Sequence, residues 1–111
     1  MKKNVSLILG LAICAAGVPA VLAADAKANW EEHCAKCHGA TGKADTKLGT
    51  KMKLKDYSDA KVQAALTDEV LLNATLKGVT VDGKEKMKGY AEKLSEADGK
   101  ALVALIRSFK A

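Results

Sequence analysis

The chain has 111 residues, 49% of them apolar but only 4% aromatic, and its 18 basic and 13 acidic side chains give a net charge of +5. At this length a core built from side chains alone is marginal. The charge excess is too small to indicate a nucleic-acid partner.

The N-terminus reads as an export signal. Met1-Lys2-Lys3-Asn4 is basic, Val5 to Val18 is apolar apart from Ser6, and small residues follow in Ala20-Val21-Leu22-Ala23-Ala24. This is the pattern of a secretory signal peptide over residues 1–23, with cleavage expected after Ala23 or, next, after Ala24. The stretch is close to membrane-spanning length, but Gly10, Gly17, Pro19 and the small-residue exit favour removal over a retained anchor. Ile13 is bulkier than the residue that normally precedes a lipoprotein cysteine, so Cys14 is expected to leave with the signal. Residues 24–111 then form one domain with 16 basic and 13 acidic residues, about +3, and only two cysteines. No free thiol would remain in an oxidising compartment once both are used.

The first mature helix is expected from about Ala26 to Cys37, with Trp30, Cys34 and Cys37 on one stripe. It carries Cys34-Ala35-Lys36-Cys37-His38, and C-x-x-C-H is the spacing of covalent c-type haem attachment. Residues three and four apart share a helix face, so Cys34, Cys37 and His38 project together. Two thiols can add to the vinyl groups of one haem edge while the imidazole reaches the iron. A thioredoxin-like pair would need a βαβ setting, which the sequence lacks. A zinc site would need four ligands, and after the signal only His33 remains.

Gly39, Gly42 and Gly49 mark a long irregular loop. Within it Lys51-Met52-Lys53-Leu54-Lys55 alternates, so an extended run is expected to turn Met52 and Leu54 inward. Ser58 or Asp59 can cap a short helix carrying Val62, Ala65 and Leu66. Thr67-Asp68-Glu69 starts another, with Gly78 as its stop. Asp82-Gly83 is a turn signal. Ser95-Glu96-Ala97-Asp98 fits a capping box, and Leu102, Leu105, Ile106 and Phe109 follow at helical spacing.

The other face of a haem requires a decision among Met87, Met52, His33, a lysine or nothing. His33 precedes the attachment face and is not expected to fold round to the opposite side. Met52 reads as a packing residue. Met87 stands alone in the polar segment Lys84-Glu85-Lys86-Met87-Lys88-Gly89-Tyr90, 49 positions after His38. No helical or strand period explains it there, so Met87 is the favoured distal ligand and Met52 the alternative.

At this point the mature chain resembles the class I monohaem cytochromes c of bacteria. The resemblance rests on Trp30 four residues before Cys34, on Cys34-Ala35-Lys36-Cys37-His38-Gly39, on Met87 followed by Tyr90, and on the helix Ala101 to Ser108 after Lys93-Leu94-Ser95-Glu96. It implies an all-α fold whose crossed terminal helices surround one covalently bound haem c, with one haem edge exposed. Residue by residue it implies thioethers at Cys34 and Cys37, His38 as proximal and Met87 as distal iron ligand, and no catalytic residue. Three positions depart from the family pattern. Lys88 stands where many relatives have proline after the ligand methionine, so the loop is expected to be less rigid. The mature chain has no proline whose carbonyl could accept from the proximal histidine, so another carbonyl, near Lys47, is expected to do so. Leu105 stands where relatives often carry an aromatic.

The function this implies is a small exported, periplasmic one-electron carrier rather than an enzyme. Iron with both axial sites filled has no open position for a substrate. The alternatives are a dedicated cytochrome subunit of a periplasmic dehydrogenase or oxidase complex and, behind it, a haem enzyme or gas sensor with open iron. The expected partners are redox proteins, with no nucleic acid, no stable membrane insertion after signal removal and a monomeric state. Lys47, Lys51, Lys53 and Lys55 in one loop and Lys84, Lys86 and Lys88 in the other frame the expected crevice, where they could steer an acidic partner. Interspersed Asp45, Asp56, Asp82 and Glu85 weaken that pattern.

Overall fold

The computed structural model describes residues 19–111. Most of the expected export signal, including Cys14, lies outside the described residues. Helix α1 (Ala20–Asn29), alanine-rich and a good helix former, runs without a break through a π-helical turn (Trp30–Cys34) into α2 (Ala35–His38). The helix therefore begins earlier than expected and contains one wide turn, in which the Ala35 N–H bonds to the Trp30 carbonyl. Such turns are frequent at functional sites. Gly39 at φ +87° then ends the helix.

Helix α3 (Lys47–Met52) replaces the expected extended run. The Thr46 hydroxyl caps it by accepting from Gly49 N–H, and Lys53 closes it in the left-handed conformation at φ 56°. Cap and closure override the alternation. Met52 consequently lies 41% exposed rather than turned into the core.

The next two helices start where the sequence places them. Asp59 caps α4 (Ala60–Ala65) and Thr67 caps α5 (Asp68–Lys77), which stops at Gly78. The segment expected to be a polar loop is instead an antiparallel hairpin of β1 (Gly78–Val81) and β2 (Lys84–Lys88). Its turn has positive φ at both Asp82 (52°) and Gly83 (77°), the requirement of a type I′ connection. Lys88 pairs with Gly78 across the ladder, so backbone pairing holds the position after Met87 without a proline. Gly78 itself cannot carry a side chain: a Cβ there would stand 2.7 Å from the Gly89 nitrogen.

Helix α6 (Glu96–Ser108) has the expected capping box, with Ser95 Oγ accepting from Asp98 N–H at 3.1 Å and Asp98 Oδ2 accepting from Ser95 N–H at 3.0 Å. Leu102 and Ile106 are buried on it, whereas Leu105 is only half-buried. The terminal helices α1 and α6 pack on each other, and α5 packs against α6. Gly99 permits the second contact, since a Cβ there would meet Leu72 Cδ1 at 2.8 Å. Ala26, Trp30, Cys34, Leu71, Leu94, Ala101, Leu102, Val103 and Ile106 form one core, mostly aliphatic. No helix among the described residues is long and apolar enough to cross a membrane.

Candidate haem-binding site

A cavity of about 520 Å³ opens beside this core, within the size range of small-molecule and cofactor sites (about 300–1,000 Å³). Cys34, Cys37, His38 and Met87, expected from the sequence, all line it. Leu54, Leu66, Val70, Leu71, Ala74 and Val79 make its wall largely apolar, and His33, Met52, Tyr57 and Tyr90 complete it.

Two hydrogen bonds fix the attachment segment from outside the cavity. Trp30 Nε1–H donates to the Gly39 carbonyl at 2.8 Å in the interior, which holds the turn after His38. The Thr46 hydroxyl donates to the Cys37 carbonyl at 2.7 Å and fastens α3 to the same turn. Cys34 is buried and Cys37 half-buried, and neither is in a disulfide. Burial, with Cys37 as a neighbour, pushes the Cys34 thiol up to about 11, so it is a neutral thiol near pH 7. Burial also lowers the pKa of His38, favouring the neutral imidazole that can ligate a metal.

His38 Nδ1 is buried and has no hydrogen-bond partner among the described residues. The expected acceptor near Lys47 is therefore not the carbonyl that holds it. The imidazole stacks on Tyr57 (centroids 5.5 Å apart, planes 20° apart) and lies 5.7 Å from the Trp30 ring at a 42° tilt. With Nδ1 buried, Nε2 is left to the cavity that His38 lines.

Met87 reaches the cavity from the hairpin. The register skips one residue of β2 between the pairs Val79↔Met87 and Thr80↔Glu85, leaving Lys86 as a bulge next to Met87. Bulges of this kind re-aim neighbouring side chains. The strand's far end is tied down where Tyr90 N–H donates to the Thr75 carbonyl at 3.0 Å and its hydroxyl donates to the His33 carbonyl at 3.2 Å. His33 borders the cavity, packed on the Tyr90 ring at 5.1 Å.

The residues fit a haem: a largely apolar wall, two thiols, and an imidazole held toward its neutral form with Nδ1 buried. Among the described residues no group of three or more His, Cys, Asp or Glu side chains is placed to hold a bare metal ion. Sequence reasoning missed Tyr57 as the partner of His38 and missed the polar pair Gln63 and Arg107 beneath it. An isolated Gln in a short amphipathic helix was the only available signal for the latter.

Residues 21–106 match the family described as cytochrome C oxidase, cbb3-type, subunit III. Among solved structures the chain is similar to the KustC0563 c-type cytochrome, with 31% identity and a TM-score of 0.67 over 78% of this chain and 98% of that one. A tyrosine-to-phenylalanine mutant of Kustc0563 is similar at 32% identity and TM-score 0.65, covering 78% of this chain and 99% of that one. No curated protein matches. The fold and the family match define a c-type cytochrome. The chain belongs to this cytochrome c family, has the class I fold, binds haem c covalently and is an electron carrier with redox proteins as partners.

Proposed function

We propose that this protein is a diffusible, exported monohaem carrier whose iron is held between His38 and Met87. Cys34 and Cys37 would hold the haem covalently through thioether links, their thiols supplying both the sulfur and the hydrogen that a redox-neutral attachment needs. The haem, once bound, supplies reversible one-electron exchange between ferrous and ferric iron. His38 contributes a neutral imidazole and Met87 a soft thioether that favours the ferrous form. The apolar wall excludes water from the space between them.

The observation that carries this reading is the meeting of the four side chains in one apolar cavity from two distant segments, Cys34 to His38 and the bulged strand at Met87. Export to the periplasm, with residues 1–23 removed, is supported by the basic, apolar and small-residue order of the N-terminus. Cleavage after Ala23 or Ala24 would shorten α1 and remove Leu22, which packs against the core, but keep the buried Ala26.

The docking surface in this reading is the cavity rim. Lys47, Lys51, Lys53, Lys55, Lys84, Lys86 and Lys88 are all exposed. Lys53, Lys55, Lys86 and Lys88 border the cavity directly, where their charge would orient an acidic partner toward the haem edge. The subunit reading draws support from the oxidase-subunit description of the matching family. Purification from native membranes separates the two: a carrier stays in the soluble fraction as a monomer, whereas a subunit co-purifies with its complex.

Replacing the two methionines tests the ligand set. In ferric protein Met87→Ala is expected to abolish the weak near-infrared sulfur-to-iron band, lower the potential and admit carbon monoxide to the reduced form. Met52→Leu is expected to change none of these, because Met52 is exposed at the rim. Loss of the band in Met52→Leu but not in Met87→Ala would transfer the distal role to Met52. Rapid carbon monoxide binding by the wild type would favour an open-iron enzyme or sensor.

A further inference from the structure

Among the described residues His38 Nδ1 has no hydrogen-bond partner, and the ring stacks on Tyr57. Metal-ligating histidines almost always donate their second N–H to a carbonyl, carboxylate or water, which fixes the ring plane. In this chain the imidazole also stacks on the Tyr57 ring, so whatever fixes Tyr57 helps to fix the imidazole plane.

Tyr57 is held at both ends of its backbone. Its N–H donates to the Gly42 carbonyl at 2.8 Å. Its carbonyl accepts from Gln63 Nε2 at 2.7 Å. Gln63 is 5% exposed, and its Nε2 also donates to the Ile106 carbonyl at 2.8 Å. On its other side, Gln63 Oε1 accepts from the Arg107 guanidinium at 2.9 Å. A guanidinium can only donate, so Arg107 forces the amide oxygen toward itself and the NH₂ toward the two carbonyls. The amide orientation is thereby determined by its partners. Both of its hydrogens are used, and a buried polar side chain is fully satisfied.

We infer that Gln63, oriented by Arg107, is a positioning residue for the proximal iron ligand: it anchors the Tyr57 backbone so that the phenol ring sets the plane of the His38 imidazole. The inference rests on His38 being that ligand. Gln63 touches neither the haem site nor His38, and its effect passes through the Tyr57 carbonyl. The four hydrogen bonds tie Tyr57, and through its ring the imidazole, to α4, α6 and the Gly42 turn.

Paramagnetic NMR of the ferric holoprotein tests this, because the spread of the haem-methyl shifts reports the plane of an axial imidazole. Gln63→Met and Gln63→Glu both remove the N–H given to Tyr57, and the second keeps the contact to Arg107. Both are expected to alter the haem-methyl pattern in the same sense as Tyr57→Leu, whereas Tyr57→Phe, which keeps the ring, retains the wild-type pattern. If both Gln63 variants keep the wild-type pattern while their melting temperature falls, Gln63 is only a structural residue and the inference is wrong. Should one Gln63 variant fail to fold, the other still decides. Histidine-labelled wild type separates the underlying reading. If no histidine ring resonance is shifted by the iron, His38 is not the ligand and both readings fall. If one is shifted and the Gln63 variants leave the methyl pattern alone, only the positioning role falls.

Discussion

Arg107 offers the sharpest test of what holds the C-terminal helix over the site. Its guanidinium makes an ion pair with Asp68 at 2.8 Å and also donates to the Gln63 carbonyl at 2.8 Å and the Leu66 carbonyl at 2.6 Å. The ion pair is the weaker contribution, because the Asp68 side chain is 76% exposed, and such pairs contribute about 0–1 kcal/mol. The carbonyls differ in kind. They lie at the C-terminal end of α4, a six-residue helix too short to persist alone; the Gln63 carbonyl also accepts from Leu66 N–H at 3.2 Å, whereas the Leu66 carbonyl, at the helix end, accepts from Arg107. Hydrogen bonds from a charged donor to such groups contribute about 1.5–3 kcal/mol each, less where solvent reaches them. The Arg107 side chain is 32% exposed, so Arg107→Ala is expected to cost roughly 2–4 kcal/mol and Asp68→Asn under about 1 kcal/mol. At about 4–8 °C per kcal/mol for a domain of this size, thermal unfolding of the holoprotein should fall by at least ~8 °C in the first variant and by a few degrees in the second. Arg107→Lys keeps the charge but loses the fork, and should recover little. Equal losses in Arg107→Ala and Asp68→Asn, or full recovery by lysine, would refute the carbonyl-capping argument.

Two further outcomes follow from the hairpin and the rim. Lys88→Pro restores the residue many relatives carry, yet here it enters a paired strand where proline is poorly tolerated. It should weaken the sulfur-to-iron band and raise carbon monoxide binding, and an unchanged band would mean that strand pairing does not hold Met87. Charge reversal at Lys53 and Lys86, which flank the cavity from opposite segments, should slow electron exchange with an acidic partner at low ionic strength. Stopped-flow rates should converge toward wild type near 1 M salt, where the Debye length is only about 3 Å; a difference independent of salt would count against steering.

How much of this was legible in the chain depended on the range of the interactions involved. Cys34, Cys37 and His38 are close in sequence, so helix periodicity alone predicts that they share a face. The caps at Asp59, Thr67 and Ser95 are equally local and lie where expected. The hairpin was hidden because β2 reads Lys-Glu-Lys-Met-Lys and has no apolar face to produce strand periodicity. Asp82-Gly83 after Val79-Thr80-Val81 was its one usable signal. The opposite error arose at Lys51 to Lys55, where real alternation was overruled by the Thr46 cap and the left-handed Lys53. Gln63 and Arg107 were out of reach for a different reason. They meet across 44 residues, and nothing local in either residue's neighbourhood encodes the other.

The departures from the family pattern point to a common physical requirement. A one-electron carrier works best when its ligands move little between oxidation states, so both sides of the cavity need stiff supports. Where relatives place a proline after the ligand methionine, this chain has a bulged strand tied through Tyr90 to Thr75 and to the carbonyl of His33. Where relatives offer a proline carbonyl to the proximal histidine, this chain has a ring stack whose backbone is fixed by Gln63. Tyr90 also joins the two supports, since His33 immediately precedes the attachment motif. At the two places where those prolines are absent, the backbone pairing of the hairpin and the Gln63 network each supply a constraint of their own.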